Sequence, residues 1–264
     1  MASLPAQQND AEVRLDSIAI RNAPFDAPWD WLAAGWRDLW AAPRIGLTYG
    51  AVFAGLAVLL SLGLLQFGMQ SLILALGGGF LLIAPLTAVG LYETSRRLQT
   101  GEPIDAGAIV GAGLRAPGQL AFFGAILAFA YIIWLQLAFL LFMLFVGSRG
   151  IPPASEFLQT LLFTPHGLGL LIVGTAVGGV LAVLVFTISA VSVPLMMTHR
   201  VGVVTAMTVS AQAVVRNIKP MALWAALIAG FMMLGISSMF IGLVIIFPLI
   251  GHATWHAYRS MIAG

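Results

Sequence analysis

Four stretches of this chain contain no Asp, Glu, Lys or Arg: residues 45–92, 116–147, 165–198 and 220–258. Each is long enough to cross a bilayer, which takes about 20 predominantly apolar residues. The whole chain is only 8% charged and 60% hydrophobic, with a mean hydropathy of +1.00. A soluble domain carries about a quarter charged residues. The sequence therefore predicts an all-α polytopic membrane helical bundle.

Spans are expected at about 46–67, 70–92, 119–146, 167–197, 220–236 and 238–258. The last two come from one charge-free run of 39 residues. As a helix that run measures about 58 Å against a hydrocarbon core of ~30 Å. Gly235–Ser238 is the expected fold point of a hairpin, and one long tilted helix is the alternative. Six spans put Arg14, Arg21, Arg37, Arg44, Arg96, Arg97, Arg115, Arg200, Arg216, Lys219 and Arg259 on one side, with Arg149 opposite. That asymmetry predicts a multi-pass membrane protein with both termini in the cytoplasm. Residues 1–27 lack the apolar core of a signal peptide and read as a flexible cytoplasmic tail, leaving 28–264 as a single transmembrane domain.

The stretch "PWDWLAAGWRDLW" (28–40) holds four of the seven tryptophans ahead of the first apolar run. At 100° per residue, Trp29, Leu32, Trp36, Leu39 and Trp40 share one stripe, while Asp30, Arg37 and Asp38 lie on the other side and Trp31 points away. Asp26 can cap the start, and Pro28 suits the first turn. Tryptophan favours the headgroup layer, so the segment reads as an amphipathic interfacial helix. A cap packed on the cytoplasmic ends of the spans is the competing reading. Trp255 and Tyr258 read as interface residues on the same grounds.

The pattern recurs. "AGWRDLWAAPRIGLTYG", "GAIVGAGLRAPGQLAFFG" and "VSAQAVVRNIKPMALWAA" each run from a helix-compatible segment through an arginine and a proline into a span. The returning spans end in "APLTAVGLYETSRR", "VPLMMTHR" and "FPLIGHATWHAYR". Six transmembrane helices as three hairpin repeats follow, at about 28–98, 104–200 and 204–262, each preceded by an interfacial helix.

No charge is expected at mid-depth, where ion-coupled carriers and proton pumps place one. Gln66, Gln136, Thr87, Thr175 and Thr187 read as interhelical hydrogen-bonding groups. Gly46, Gly50, Gly77, Gly174 and Gly178 read as helix-packing glycines. His199, His252 and His256 gather at the cytoplasmic ends. His252 and His256, four apart, can face one metal ion, yet all three read first as interfacial polar residues. Glu93 can pair locally with Arg96 or Arg97, or approach His256 across the repeats. The absence of cysteine excludes disulfides, thiolate metal sites and a cysteine nucleophile. No nucleophile elbow, phosphate loop or carboxylate pair is present. The expectation is a non-enzyme without a cofactor, bound to membrane lipids and to other membrane-protein subunits, with no nucleic acid.

The motifs "WDWLAAGWRDL", "GFLLIAPLTAVGLYETSRRLQTGEP" and "FPLIGHATWHAYR", spread between Phe25 and Met261, resemble a bacterial family of predicted integral membrane proteins of unknown function. Some members carry a cytochrome c oxidase subunit label. The resemblance implies a bacterial inner (cytoplasmic) membrane and a respiratory-membrane setting, and it supplies no catalytic residues. Mid-span histidines of the kind that hold oxidase haems and copper are missing, so it implies an accessory or assembly component. A transporter or lipid-handling protein with a cavity between repeats is the alternative, favoured by a pocket lined by Gln66, Gln136 and Thr87.

Overall fold

Three short helices lead into three long ones through joints of nearly the same shape. The computed structural model describes residues 18–147 and 154–262. Helix α1 (Ala27–Ala41) enters α2 (Pro43–Gln66) through Ala42, at φ −131°, ψ 56°. Helix α5 (Ala106–Val110) and a 3-10 turn (Gly111–Arg115) enter α6 (Pro117–Phe145) through Ala116, at φ −141°, ψ 59°. Helix α10 (Val203–Arg216) enters α11 (Ile218–Ser237) through Asn217, at φ −115°, ψ 40°. Proline explains the first two joints, because it pushes the preceding residue out of the helical region while suiting the first helical position itself. Pro220 sits in the first turn of α11, where no N–H is needed.

The return helices are broken or proline-bearing. Helix α3 (Ser71–Thr87) continues as α4 (Val89–Thr100) after a 40° bend, and α8 (Pro165–Ser189) continues as α9 (Ser192–Thr198). Helix α12 (Leu243–Met261) contains Pro248. A further helix, α7 (Ala154–Phe163), lies between α6 and α8. Among the described residues no strand forms; the single β-bridge joins Ile20 to Ile262.

Among the described residues, four helices are long and apolar enough to cross a membrane: α2, α6, α8 with α9, and α11. The bent pair α3–α4 makes five. The sixth expected span, 238–258, lacks that apolar length, because the second half of α12 carries His252, Trp255, His256 and Tyr258. The run 220–258 forms two helices. Their turn uses Met239 and Phe240 at φ 56° and 68°, a left-handed backbone rare for residues with a Cβ.

The core sits at one end, here called the cap. There α1, α4, α9, α10 and the end of α12 converge, burying Leu39, Leu91, Leu195, Ala206, Val209 and Met261. The apolar windows of α6 and α8 are each only 6% buried, and that of α2 17%. In water such helices would not hold; in lipid, apolar exposure costs nothing and protein packing is needed only where backbones meet. The described Lys and Arg residues also lie at the cap end: before and in α1, in α2, α4 and the 3-10 turn, after α9, and at the ends of α10, α11 and α12. Arg14, Arg149 and residues 1–17 of the expected tail lie outside the described residues. The rest of that tail is tied down: Arg21 N–H donates to the Met261 carbonyl at 2.8 Å, and Ala23 N–H to Asn217 Oδ1 at 2.7 Å.

Candidate functional site

Two polar networks fill the cap, and both are anchored on α4. In the first, Glu93 is fully buried and accepts from three arginines. Arg96 Nε bonds its Oε2 at 2.9 Å, while Arg97 Nε and Arg115 Nη2 each reach its Oε1 at 2.7 Å. Arg96 also binds Glu102, through Nη1 at 2.6 Å, and this hydrogen bond holds the Glu102 carboxyl down at about 2. Of the two sequence readings for Glu93, the local pair is the one present. Arg115, 22 residues along the chain, is the partner that sequence reasoning missed. Its signal was the lone arginine before Pro117, the counterpart of those before Pro43 and Pro220.

The second network joins α1, α4 and α12. His256 Nε2 lies 2.8 Å from Asp38 Oδ2, and its Nδ1 lies 3.2 Å from Gln99 Nε2. Trp255 Nε1 donates to Gln99 Oε1 at 2.9 Å. One turn earlier, His252 Nδ1 meets Ser95 Oγ at 2.8 Å with both side chains fully buried, and His252 Nε2 has no partner. A serine–histidine pair can serve acyl transfer, but the two apolar clefts of the membrane half do not reach this one. His199 Nδ1 lies 2.9 Å from Thr198 Oγ1 and 3.3 Å from the Tyr258 hydroxyl. Burial first, then the positive Arg259, lowers the His199 pKa from its ordinary value. The three histidines thus bond separate partners, and the described residues contain no cluster of three or more His, Cys, Asp or Glu fit for a metal ion.

Several sequence assignments move. Trp255 and Tyr258, expected at the lipid interface, are buried in the protein, 2% and 0% exposed, because α12 runs between α1, α2 and α4. Trp31 is buried at 3% and meets Trp224 edge to face, with ring centroids 5.7 Å apart. Leu32 and Leu39 turn inward with it, leaving Trp29, Trp36 and Trp40 outside. Asp26 precedes α1 without a side-chain capping bond.

The glycines divide. Gly46 lies against Leu39, and a Cβ at Gly50 would overlap the Val244 carbonyl, so α2 and α12 touch backbone to backbone there. A Cβ at Gly178 would come within 2.7 Å of the Trp134 ring. Gly77 and Gly174 face open space.

That open space forms two apolar clefts in the membrane half. One, of about 270 Å³, lies between α2, α3, α11 and α12 and is lined by Leu60, Gly77, Phe80, Tyr131, Met232 and Phe240. Phe53, Phe80 and Phe247 pack together at its wall, with Phe53 and Phe247 centroids 4.7 Å apart. The other, of about 410 Å³, lies between α3, α6, α7 and α8 and is lined by Gly78, Trp134, Phe157, Gly174 and Gly178. Gln66 and Gln136 are exposed and line neither cleft, and Thr87 turns back to the Ala84 carbonyl at 2.8 Å.

The middle of the chain, residues 72–198, matches a family model described as "Predicted integral membrane protein (DUF2189)". This is the family that the sequence motifs resemble. The match runs from the start of α3 to the end of α9, and it contains the motif at Gly79–Pro103. No curated protein and no solved structure matches the chain. The chain is therefore an integral, multi-pass membrane protein similar to a family of unknown function.

Proposed function

We propose that this chain is a non-catalytic integral membrane subunit, or an assembly and stability factor, of a membrane complex. Six spans in three hairpin repeats, with the cap in the cytoplasm of a bacterial cell, complete the reading. The observation that carries it is the division of the molecule. Polar and charged side chains bond one another in the cap, while α2, α3, α6, α8 and α11 offer apolar, glycine-lined surfaces in the membrane half, with Glu156 on α7 the charged group at its far end among the described residues. Surfaces of that kind suit close packing against other membrane helices. The three similar joints at Ala42, Ala116 and Asn217 support the repeats. A respiratory oxidase is the complex to which the label on some members of the resembled family points.

A second reading, a lipid-handling or transport protein, is favoured by the two apolar clefts. Their linings suit a hydrocarbon chain better than a polar solute. Purification of the full chain in mild detergent, followed by mass spectrometry and an absorption spectrum, separates the readings. Stoichiometric membrane subunits with no haem band are expected. A Soret band or bound metal that is lost on His252→Ala or His256→Ala overturns the subunit reading. Copurifying lipid in place of protein favours the second.

A further inference from the structure

Each of the three segments that lead into α2, α6 and α11 holds large apolar side chains outward at the cap end, where the spans begin. Trp29, Trp36 and Trp40 are about half exposed on α1; Val110 and Leu114 stand out around the 3-10 turn; Val204 and Val215 stand out on α10, next to Ile218. Exposures reach 86% at Val110. Such side chains are badly placed in water and well placed in the boundary between headgroups and acyl chains.

The cations beside them differ from those inside the cap. Arg96, Arg97 and Arg115 are bound to Glu93. Arg37, Arg44 and Lys219 are exposed and form no ion pair among the described residues. Arg216, beside Val215, donates only to the neutral Asn22 Oδ1, at 2.7 Å. Of the exposed acids nearby, Asp105 precedes α5, Asp26 precedes α1 and Asp30 lies in the first turn of α1. The far end of that helix, where Trp36 and Trp40 meet edge to face at 5.5 Å, therefore has Arg37 and Arg44 as its local charges, because Asp38 is held by His256.

We infer that these three segments form a collar seated in the headgroup layer, and that it selects anionic phospholipid through Arg37, Arg44 and Lys219. The charge complementarity is direct. Unpaired cations stand beside interface-seeking aromatic and aliphatic side chains, at the depth where phosphate groups lie. Indole rings at Trp36 and Trp40 fix that depth, and guanidinium groups bind phosphate with a planar fork. The inference rests on the membrane seat of the chain alone, so it holds or fails independently of the subunit reading.

The test uses the full-length protein in mild detergent, offered equal amounts of phosphatidylglycerol and phosphatidylcholine, with bound lipid counted by native mass spectrometry. The wild type is expected to retain phosphatidylglycerol preferentially. Each of Arg37→Gln, Arg44→Gln and Lys219→Gln lowers the ratio by up to about fivefold. The triple variant brings it to parity, and Gln66→Ala at the opposite end leaves it unchanged. Raising the salt concentration should erase the wild-type preference without any mutation, a readout that survives even if the triple variant fails to fold. Parity in the wild type, a triple variant that keeps the preference, or a preference indifferent to salt overturns the inference. So does equal competition by free inorganic phosphate.

Discussion

Asp38 and His256 meet at 2.8 Å, joining the first helix of the fold to the last. Both side chains are largely buried, at 14% and 17% exposure. The contact is the polar counterpart of the Gly35 approach one turn earlier on α1, where a Cβ would come within 2.6 Å of the Ala253 backbone nitrogen. Asp38→Ala leaves an imidazole without its acceptor in the α1–α12 seam. A loss of about 1–3 kcal/mol is expected. Asp38→Asn, which keeps an acceptor oxygen, should lose less. Thermal unfolding in detergent measures both, and equal losses would show that the pair contributes nothing as a pair.

The tryptophans of α1 should separate into two classes. Trp31→Ala removes a buried ring seated against Trp224, with an expected cost of about 3–5 kcal/mol. Trp36→Ala in detergent should cost far less, because that ring projects outward. The same two variants read by lipid-attached quenchers should reverse in rank, with Trp36 supplying most of the quenched signal.

Two glycines four residues apart should behave differently. Gly178→Leu pushes into the Trp134 ring, which is itself fixed by a 2.6 Å bond from Nε1 to the Ala75 carbonyl. Overpacking of this kind costs about 1–3 kcal/mol. Gly174→Leu faces the open cleft and should leave the stability of the monomer unchanged while filling the space available to a partner helix or lipid. Loss of copurifying partners with an unchanged melting temperature is the expected signature of Gly174→Leu. Loss of stability in both variants would assign both glycines to packing within the chain.

His199 gives the fold a pH dependence of predictable sign. Its folded pKa lies below the unfolded value of about 6.5, because burial and Arg259 disfavour the charged ring. Its contribution is therefore complete above about pH 6.5. As the pH falls further the unfolded chain takes up the proton first, and stability declines. His199→Gln should flatten that decline between pH 7 and pH 5. An identical pH profile in the variant would assign the acid sensitivity to other groups.

Helix content, and the division of 220–258 into two helices, were legible because charge-free length and a Gly/Ser segment are local signals, although α11 runs on through Ser237 and the turn falls just after it, at 238–242. The Trp36 and Trp40 face was legible for the same reason, as a helical period seen on one segment. What the period could not show was the direction of the core. Trp31 and the Trp29 stripe are both apolar, so the choice of face depended on Trp224, almost two hundred residues away. Trp255 and Tyr258 were misplaced by the same limit, since an amphipathic aromatic suits a lipid interface and a polar protein cap equally well. Helix α7 went unread because Pro152, Pro153 and Pro165 bracket it and its ten residues are too few to cross a membrane.

With its packing concentrated at one end, the molecule resembles a fork whose tines are held chiefly in the handle, with Trp134 bonded to the Ala75 carbonyl as a cross-tie between two of them. The gaps between α2, α3, α6 and α8 are then set by the lateral pressure of the surrounding acyl chains as much as by side chains. The cap can be rigid and well folded while the spacing of the tines follows the thickness and fluidity of the bilayer. Heat stability measured in detergent is consequently a property chiefly of the handle and of the few ties such as Trp134, and the shape presented to other membrane helices is a property of the protein and its lipid together.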